Sequence, residues 1–278
     1  MEKETGLKIN AFFASDYAGV IEGMRFGKVD AAWFGNKSAM EAVDRSGGEV
    51  FAQTVGVSGN PGYWSLLLAH KDNSLDDVLK CDGSLNFGIG DPNSTSGFLV
   101  PTTLIFTKNG IDPKKCFKTV RNANHETDAL AVANGQVDVA ANNTENLARI
   151  EKSNPEAFKN IKVIWKLPLI PADPIVWKSD LDHATKDKLY TFFMSYGRFG
   201  TPEEVAVARK VLADLAWAPF KPSSDAQLYP IRVMAITKDM FKIEVDDKYS
   251  ADEKAAKLKE LSEEKAKYEK LMETVPQV

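Results

Sequence analysis

Short apolar runs alternate with helical stretches over most of this chain, and that alternation points to an α/β fold. Leu7–Phe13 alternates apolar and polar positions as a strand does. Asp16 then offers an N-cap, and Tyr17–Phe26 has helical spacing, with Val20, Ile21 and Met24 on one side and Gly27 as the stop. Val29–Phe34 is expected as a strand and Ser38–Val43 as a helix. A similar unit recurs later. Gly27-Lys28-Val29-Asp30-Ala31-Ala32 resembles Gly135-Gln136-Val137-Asp138-Val139-Ala140, and each leads through asparagine (Asn36; Asn142 and Asn143) into a helix. Either the two share only a common turn chemistry, or the chain has two lobes of like design.

At 278 residues the chain is long enough for one large domain or two modest ones. Tyr63–His70 and Ile175–Lys178 are expected as connecting strands. They divide the chain into a discontinuous first lobe, residues 1–70 and 176–278, and a second lobe, residues 71–175. Residues 250–274 are rich in Lys, Glu and Ala, with Leu258, Leu261, Tyr268, Leu271 and Met272 on one stripe. That is a long charged helix whose seam either packs on its own lobe or meets a partner helix in a dimer.

Net charge is −4, from 35 basic and 39 acidic residues, so a nucleic-acid partner is not expected. An anionic ligand would have to be held by local dipoles. The two cysteines, Cys81 and Cys116, are either unrelated thiols or one disulfide, which needs an oxidising compartment. His70, His125 and His183 form no zinc-spaced cluster, and neither metal nor cofactor is expected. No apolar run is long enough to span a bilayer, and the opening residues are polar.

The most informative segment follows the apolar strand Leu85–Gly90. Asp91-Pro92-Asn93 turns the chain, and Ser94-Thr95-Ser96-Gly97 opens a helix running to Asn109-Gly110. The first N–H groups of a helix lack internal partners, and the helix dipole adds partial positive charge there. Three consecutive hydroxyls beside those groups exceed what a cap needs and form a cradle for a tetrahedral oxyanion. The loop is not a phosphate-binding Walker motif, since no Gly-Lys-Ser/Thr follows, and Gly88-x-Gly90 lacks the third glycine of a dinucleotide fingerprint. No nucleophile elbow, metal motif or Ser-x-x-Lys is present, so an enzyme is not expected.

Gly90–Phe98 resembles the signature of the phosphonate-binding proteins of ABC transporters. The resemblance extends in order through Asp16–Gly19, Gly62–Ser65, His125–Thr127, Asn142–Asn146 and Ile170–Pro174, and spans about residues 7–235. It is nearest to the type that prefers 2-aminoethylphosphonate. It implies a two-lobed type II periplasmic-binding fold with a long C-terminal helix. It also implies an extracytoplasmic solute receptor that closes on its ligand and presents it to a membrane permease. A receptor for phosphate, phosphite or another small oxyanion is the alternative.

The resemblance further implies that Ser94, Thr95 and Ser96 hold the phosphonate oxygens and that Tyr17, Tyr63 and His125 donate to them. Glu145 and Asp173 would hold the ligand ammonium, which offsets the repulsion between two carboxylates facing one site. From the residues alone, His125 also fits a surface or capping histidine, Glu145 a first-turn acid, and Asp173 a turn residue before Pro174. Family members begin with a signal peptide, a first strand and most of a helix that this sequence does not show. Met1 is therefore expected to be an internal start, with a periplasmic full-length product, and the chain as written is expected to be poorly stable or weak in binding.

Overall fold

A computed structural model describes residues 1–70 and 73–274, which divide into two compact units. Of the described residues, the first comprises Met1–Gly62 and Pro171–Leu228; the second comprises Tyr63–Ile170 and residues 229–274. The division thus falls near residues 62, 170 and 228 instead of 70 and 175. The C-terminal helices go with the second unit because their seam packs there, not beside the first strand of the chain.

The first unit contains helices α1 (Glu2–Thr5), α2 (Tyr17–Arg25), α3 (Asn36–Ser46), α9 (His183–Ser195) and α10 (Pro202–Asp214). Its four strands, β1 (Ala31–Trp33), β2 (Gly48–Gly56), β8 (Pro174–Lys178) and β9 (Trp217–Pro222), form an antiparallel sheet in the order β1-β8-β2-β9. Phe51 stacks on Trp177 at 3.9 Å between ring centres, and Phe193 meets Phe51 edge-on. As expected, Asp16 caps α2, with Oδ1 accepting from Gly19 N at 2.8 Å. The strand expected over Leu7–Phe13 does not form, and Phe13 is 91% exposed. Alternation assigns faces, but a strand exists only when a neighbour accepts its backbone hydrogen bonds, and among the described residues no strand pairs with this segment.

The second unit holds β3 (Gly62–His70), β4 (Asn86–Gly90), β5 (Thr119–Ala123), β6 (Val139–Asn143) and β7 (Ile161–Pro171), in the order β5-β4-β6-β3-β7. Tyr63–His70, expected as a connecting strand, begins where the chain passes from the first unit to the second and is an interior member of this sheet. β4 runs parallel to β5 and β6, and β3 runs antiparallel to β6. Both faces are buried. Leu66 and Leu68 enter one cluster with Val132 and Ile150, while Leu67 and Ala69 enter another with Phe87, Phe106 and Phe117. Such two-sided burial is why β3 carries the continuous apolar run Leu66–Ala69.

The helices of this unit are α4 (Leu75–Leu79), α5 (Pro113–Cys116), α6 (His125–Ala133), α7 (Thr144–Ser153), α8 (Pro155–Phe158), α11 (Tyr229–Val245) and α12 (Ala251–Thr274). A further helical stretch, Thr95–Asn109, begins and continues in wide π-type turns and closes on Gly110. Cys81 and Cys116 are joined as a disulfide, the second of the two readings left open above. α12 packs along α11, with Tyr268 against Tyr229 and under Arg232, and its expected apolar stripe is half-buried.

Candidate ligand-binding site

The parallel register brings four chain segments to one edge of the second unit's sheet. Gly90 pairs with Ala123, so the turn into Ser94 and the turn into His125 leave adjacent strands at the same end. β6 runs the same way and ends at Asn143, which pairs with Ser65 near the start of β3. The carboxyl ends of parallel strands are where open α/β sheets hold ligands, because helix N-termini converge there.

Ser94 caps the Thr95–Asn109 helical stretch: its Oγ accepts from Gly97 N at 3.0 Å. Ser94, Thr95 and Ser96 are all buried, at 2% exposure each. Ser65 Oγ donates to Ser96 O at 2.7 Å and anchors the turn to β3. His125 is the first residue of α6, and its Nε2 lies 3.4 Å from Ser94 Oγ and 3.5 Å from Ser96 Oγ. Burial, aided by the Arg149 guanidinium, pushes the His125 imidazole down to about 4, so it is neutral near pH 7. Its Nδ1 is buried without a partner, so the tautomer is decided at Nε2, beside the two serine hydroxyls. A ligand oxygen facing Nε2 would select the form that donates there.

Two glycines make this approach close enough. A Cβ on Gly97 would sit 2.8 Å from His125 Cε1 and 3.0 Å from Ser94 Oγ. A Cβ on Gly90 would sit 2.8 Å from Gly97 Cα. Only residues without a side chain let the strand end, the helix start and the imidazole meet.

Behind the hydroxyls lies an asparagine network. Asn143 Nδ2 donates to Ser96 Oγ at 3.1 Å, and Asn142 Nδ2 donates to His125 O at 2.8 Å. Asn143 also caps α7, whose second residue is Glu145. Burial raises the Glu145 carboxyl above the ordinary range, opposed by Arg149. Tyr63 is buried in the same unit, against Val100 and Ile170.

Tyr17 and Asp173 belong to the first unit. Tyr17 begins α2 and is partly exposed. Asp173 is buried just before β8. Its carbonyl accepts from Thr54 N and Thr54 Oγ1, at 2.9 and 3.1 Å, and its carboxylate lies 3.4 Å from Asn36 Nδ2. Asn36 Oδ1 accepts from Gln227 Nε2 at 2.8 Å. The structure therefore brings together Ser94, Ser96 and His125, with Thr95, Tyr63 and Glu145 in the same unit.

Sequence reasoning assigned no role to Asn142, Asn143, Gly97, Ser65, Asn36 or Gln227. The Asn36 and Asn143 positions were visible as parts of the repeat, but residue type alone does not say which hydroxyl or carboxylate an amide will meet. Among the described residues no group of His, Cys, Asp and Glu could hold a metal ion, and no helix is long and apolar enough to cross a membrane.

Residues 1–228 match the family described as the periplasmic substrate-binding protein of phosphonate ABC transporters. The chain is 58% identical over 264 residues to the phosphonates-binding periplasmic protein of Escherichia coli K12, covering 94% of this chain and 76% of that relative. It is 30% identical to a phosphate-import protein of Mycolicibacterium smegmatis, covering 84% of this chain and 76% of that one. A crystal structure of the binding component of a Pseudomonas aeruginosa ABC phosphonate transporter superposes with a TM-score of 0.93 at 55% identity, covering 98% of this chain and 89% of that chain.

Proposed function

The chain belongs to the family of periplasmic substrate-binding proteins of phosphonate ABC transporters, and on that premise we propose that its ligand is 2-aminoethylphosphonate or a close alkylphosphonate. It is a binding component, not an enzyme, and its partners are a small-molecule solute and the membrane components of an ABC transporter. The observation that carries the ligand reading is the convergence of the Ser94 and Ser96 hydroxyls on a neutral, buried His125 at a helix start. Such a site offers hydrogen-bond donors to an oxyanion without a formal positive charge. Glu145 supports an ammonium on the same ligand: burial disfavours its ionised form until a cation approaches. Thr95 and Tyr63 are proposed as further donors. The parts of Tyr17, as donor, and Asp173, as second carboxylate, rest on the family resemblance.

Calorimetry with aminoethylphosphonate, methylphosphonate, phosphite and phosphate tests the assignment. Aminoethylphosphonate is expected to bind most tightly. Equal affinity for it and methylphosphonate would remove the ammonium site. Tightest binding of phosphate would favour the alternative, an inorganic-oxyanion receptor like the phosphate-import relative.

The native product is proposed to be periplasmic, as the family is, and the Cys81–Cys116 disulfide suits that oxidising compartment. A second copy of the chain is proposed as a partner along α12. The support is that this helix of 24 residues buries none of them fully. Sedimentation as a monomer at micromolar concentration would refute the dimer.

A further inference from the structure

The side chain of Asn143 is engaged at both ends. Its Oδ1 accepts from Asn146 N at 2.7 Å, capping α7. Since a backbone N–H can only donate, the oxygen end must face Asn146, and the NH₂ end must face Ser96. The orientation is held from behind as well. Asn142 Oδ1 accepts from Asn143 N at 2.9 Å and from Asn146 Nδ2 at 3.0 Å. Ser96 Oγ therefore receives a hydrogen bond from Asn143 Nδ2 and keeps its own hydrogen to give. Ser94 Oγ is in the same position, receiving one from Gly97 N.

The carbonyls of the turn are engaged too. Ser94 O accepts from Leu99 N, Thr95 O from Val100 N, and Ser96 O from Ser65 Oγ. The turn thus has its carbonyls engaged and one lone pair of each serine oxygen taken, which leaves the Ser94 and Ser96 O–H groups to point outward. A phosphonate carrying one proton has a P–OH that needs an acceptor, and satisfying it from a serine lone pair or from His125 Nε2 takes that group away from donating to the other oxygens, which is unfavourable. A doubly ionised phosphonate has no such group.

We propose that Asn143 is a positioning residue that takes one lone pair of Ser96 and turns its O–H toward the ligand, so that the cradle favours the doubly ionised form of a phosphonate. The inference rests on the phosphonate reading above and adds the charge state of the ligand and the residue that selects it. The titratable and charged groups around the cradle are His125 and Asp128 on α6, Glu145 and Arg149 on α7, Arg121 on β5, and Asp91 in the preceding turn. Asp128, pushed up to about 7 by burial, would ionise over the same range as a phosphoryl group, whose second pKa is about 6 in a phosphoester. The ligand must therefore be varied as well as the protein.

Methylphosphonate and trifluoromethylphosphonate lack the ammonium, and the fluorines lower the second pKa of the latter. Wild-type affinity measured by calorimetry between pH 5 and 8.5 should fall about tenfold per unit below each ligand's own second pKa and stay flat above it. The break should move with the ligand. A break at one pH for both ligands, or none, would overturn the proposal. Asn143→Ser retains a cap-forming side chain but loses the donor. It should weaken methylphosphonate about tenfold and flatten the pH slope, because Ser96 can then turn a lone pair to a P–OH. Asn143→Asp also retains the cap but reverses the polarity at Ser96, and should lose about 100-fold or more with melting near that of wild type. Variants that bind with wild-type affinity and slope would overturn this inference alone. Failure of the wild type to bind any phosphonate would overturn the ligand assignment with it.

Discussion

In the first unit α2 ends at Gly27, with φ at 66°, and Lys28 N and Val29 N both return to Gly23 O. In the second unit α6 ends at Gly135, with φ at 65°, and Gln136 N and Val137 N both return to Ala131 O. Each turn feeds a strand and then a new helix. There the likeness stops. The second residue of α3 is Lys37, buried and paired with Glu41 one turn on at 3.2 Å. The second residue of α7 is Glu145, with Arg149 one turn on acting on its carboxyl. The order of charge is reversed, although a helix start favours the acid and disfavours the base. The asparagines differ in the same way. Asn36 in the first unit lies beside the Asp173 carboxylate, whereas Asn143 in the second lies beside the Ser96 hydroxyl. One local turn chemistry thus meets a buried carboxylate in one unit and a buried hydroxyl in the other, and the partners brought from distant chain decide which.

The largest expected effect separates turn glycines from clearance glycines. Gly97→Ala should reduce phosphonate binding by about 100-fold or more and destabilise the second unit by roughly 1–3 kcal/mol, since its Cβ would press on His125 and Ser94. Near-normal calorimetry on this variant would show that the close approach is dispensable.

Next come the carboxylates. Glu145→Gln and Asp173→Asn should each weaken aminoethylphosphonate by about tenfold while leaving methylphosphonate within about threefold. Equal losses for both ligands would make these residues structural, and the contrast between donor turn and carboxylates would fail.

A third effect is on stability. Asp128 has a folded pKa of about 7 against an ordinary value of 3.8, so the folded state keeps a proton that the unfolded chain has released. Its contribution therefore falls as pH rises from about 4 to about 7 and is level above. His125, three residues earlier, is lowered to about 4 from 6.5, and its contribution rises over about pH 4 to 6.5. The two slopes oppose each other. Asp128→Asn should leave the rising slope alone and gain roughly 1–3 kcal/mol over wild type at pH 8, with no gain near pH 4. Denaturant melts at the two pH values check this, and a gain of equal size at both would point to packing instead.

The smallest effect tests the likeness itself. Gly27→Ala and Gly135→Ala, each forcing a left-handed alanine with nothing near its Cβ, should cost about 1 kcal/mol apiece. Unequal costs in thermal melts would mean the two turns are not equivalent.

Much of the fold was legible because its signals are short-range. The caps at Asp16 and Ser94 each satisfy an N–H three residues on. Gly27 and Gly135 close helices that precede them directly, and the stripe on α12 is a helical period. Leu7–Phe13 was misread because its alternation is also local, but a strand needs a partner that the segment does not contain. Where the chain passes between units was less legible: the apolar run Tyr63–His70 does not itself say at which of its ends the change falls, and the structure puts it at Tyr63.

By itself, then, the sequence determined the alternating elements, their caps and the hydroxyl turn Ser94–Ser96, because each is settled within a few residues of chain. Only the tertiary structure decided what that turn presents. Asn143 reaches Ser96 across 47 residues, and Gly97 meets both Gly90 and His125 across separate strands. A serine hydroxyl can donate and accept at once, and the direction in which its O–H points is set by the neighbour that occupies one of its lone pairs.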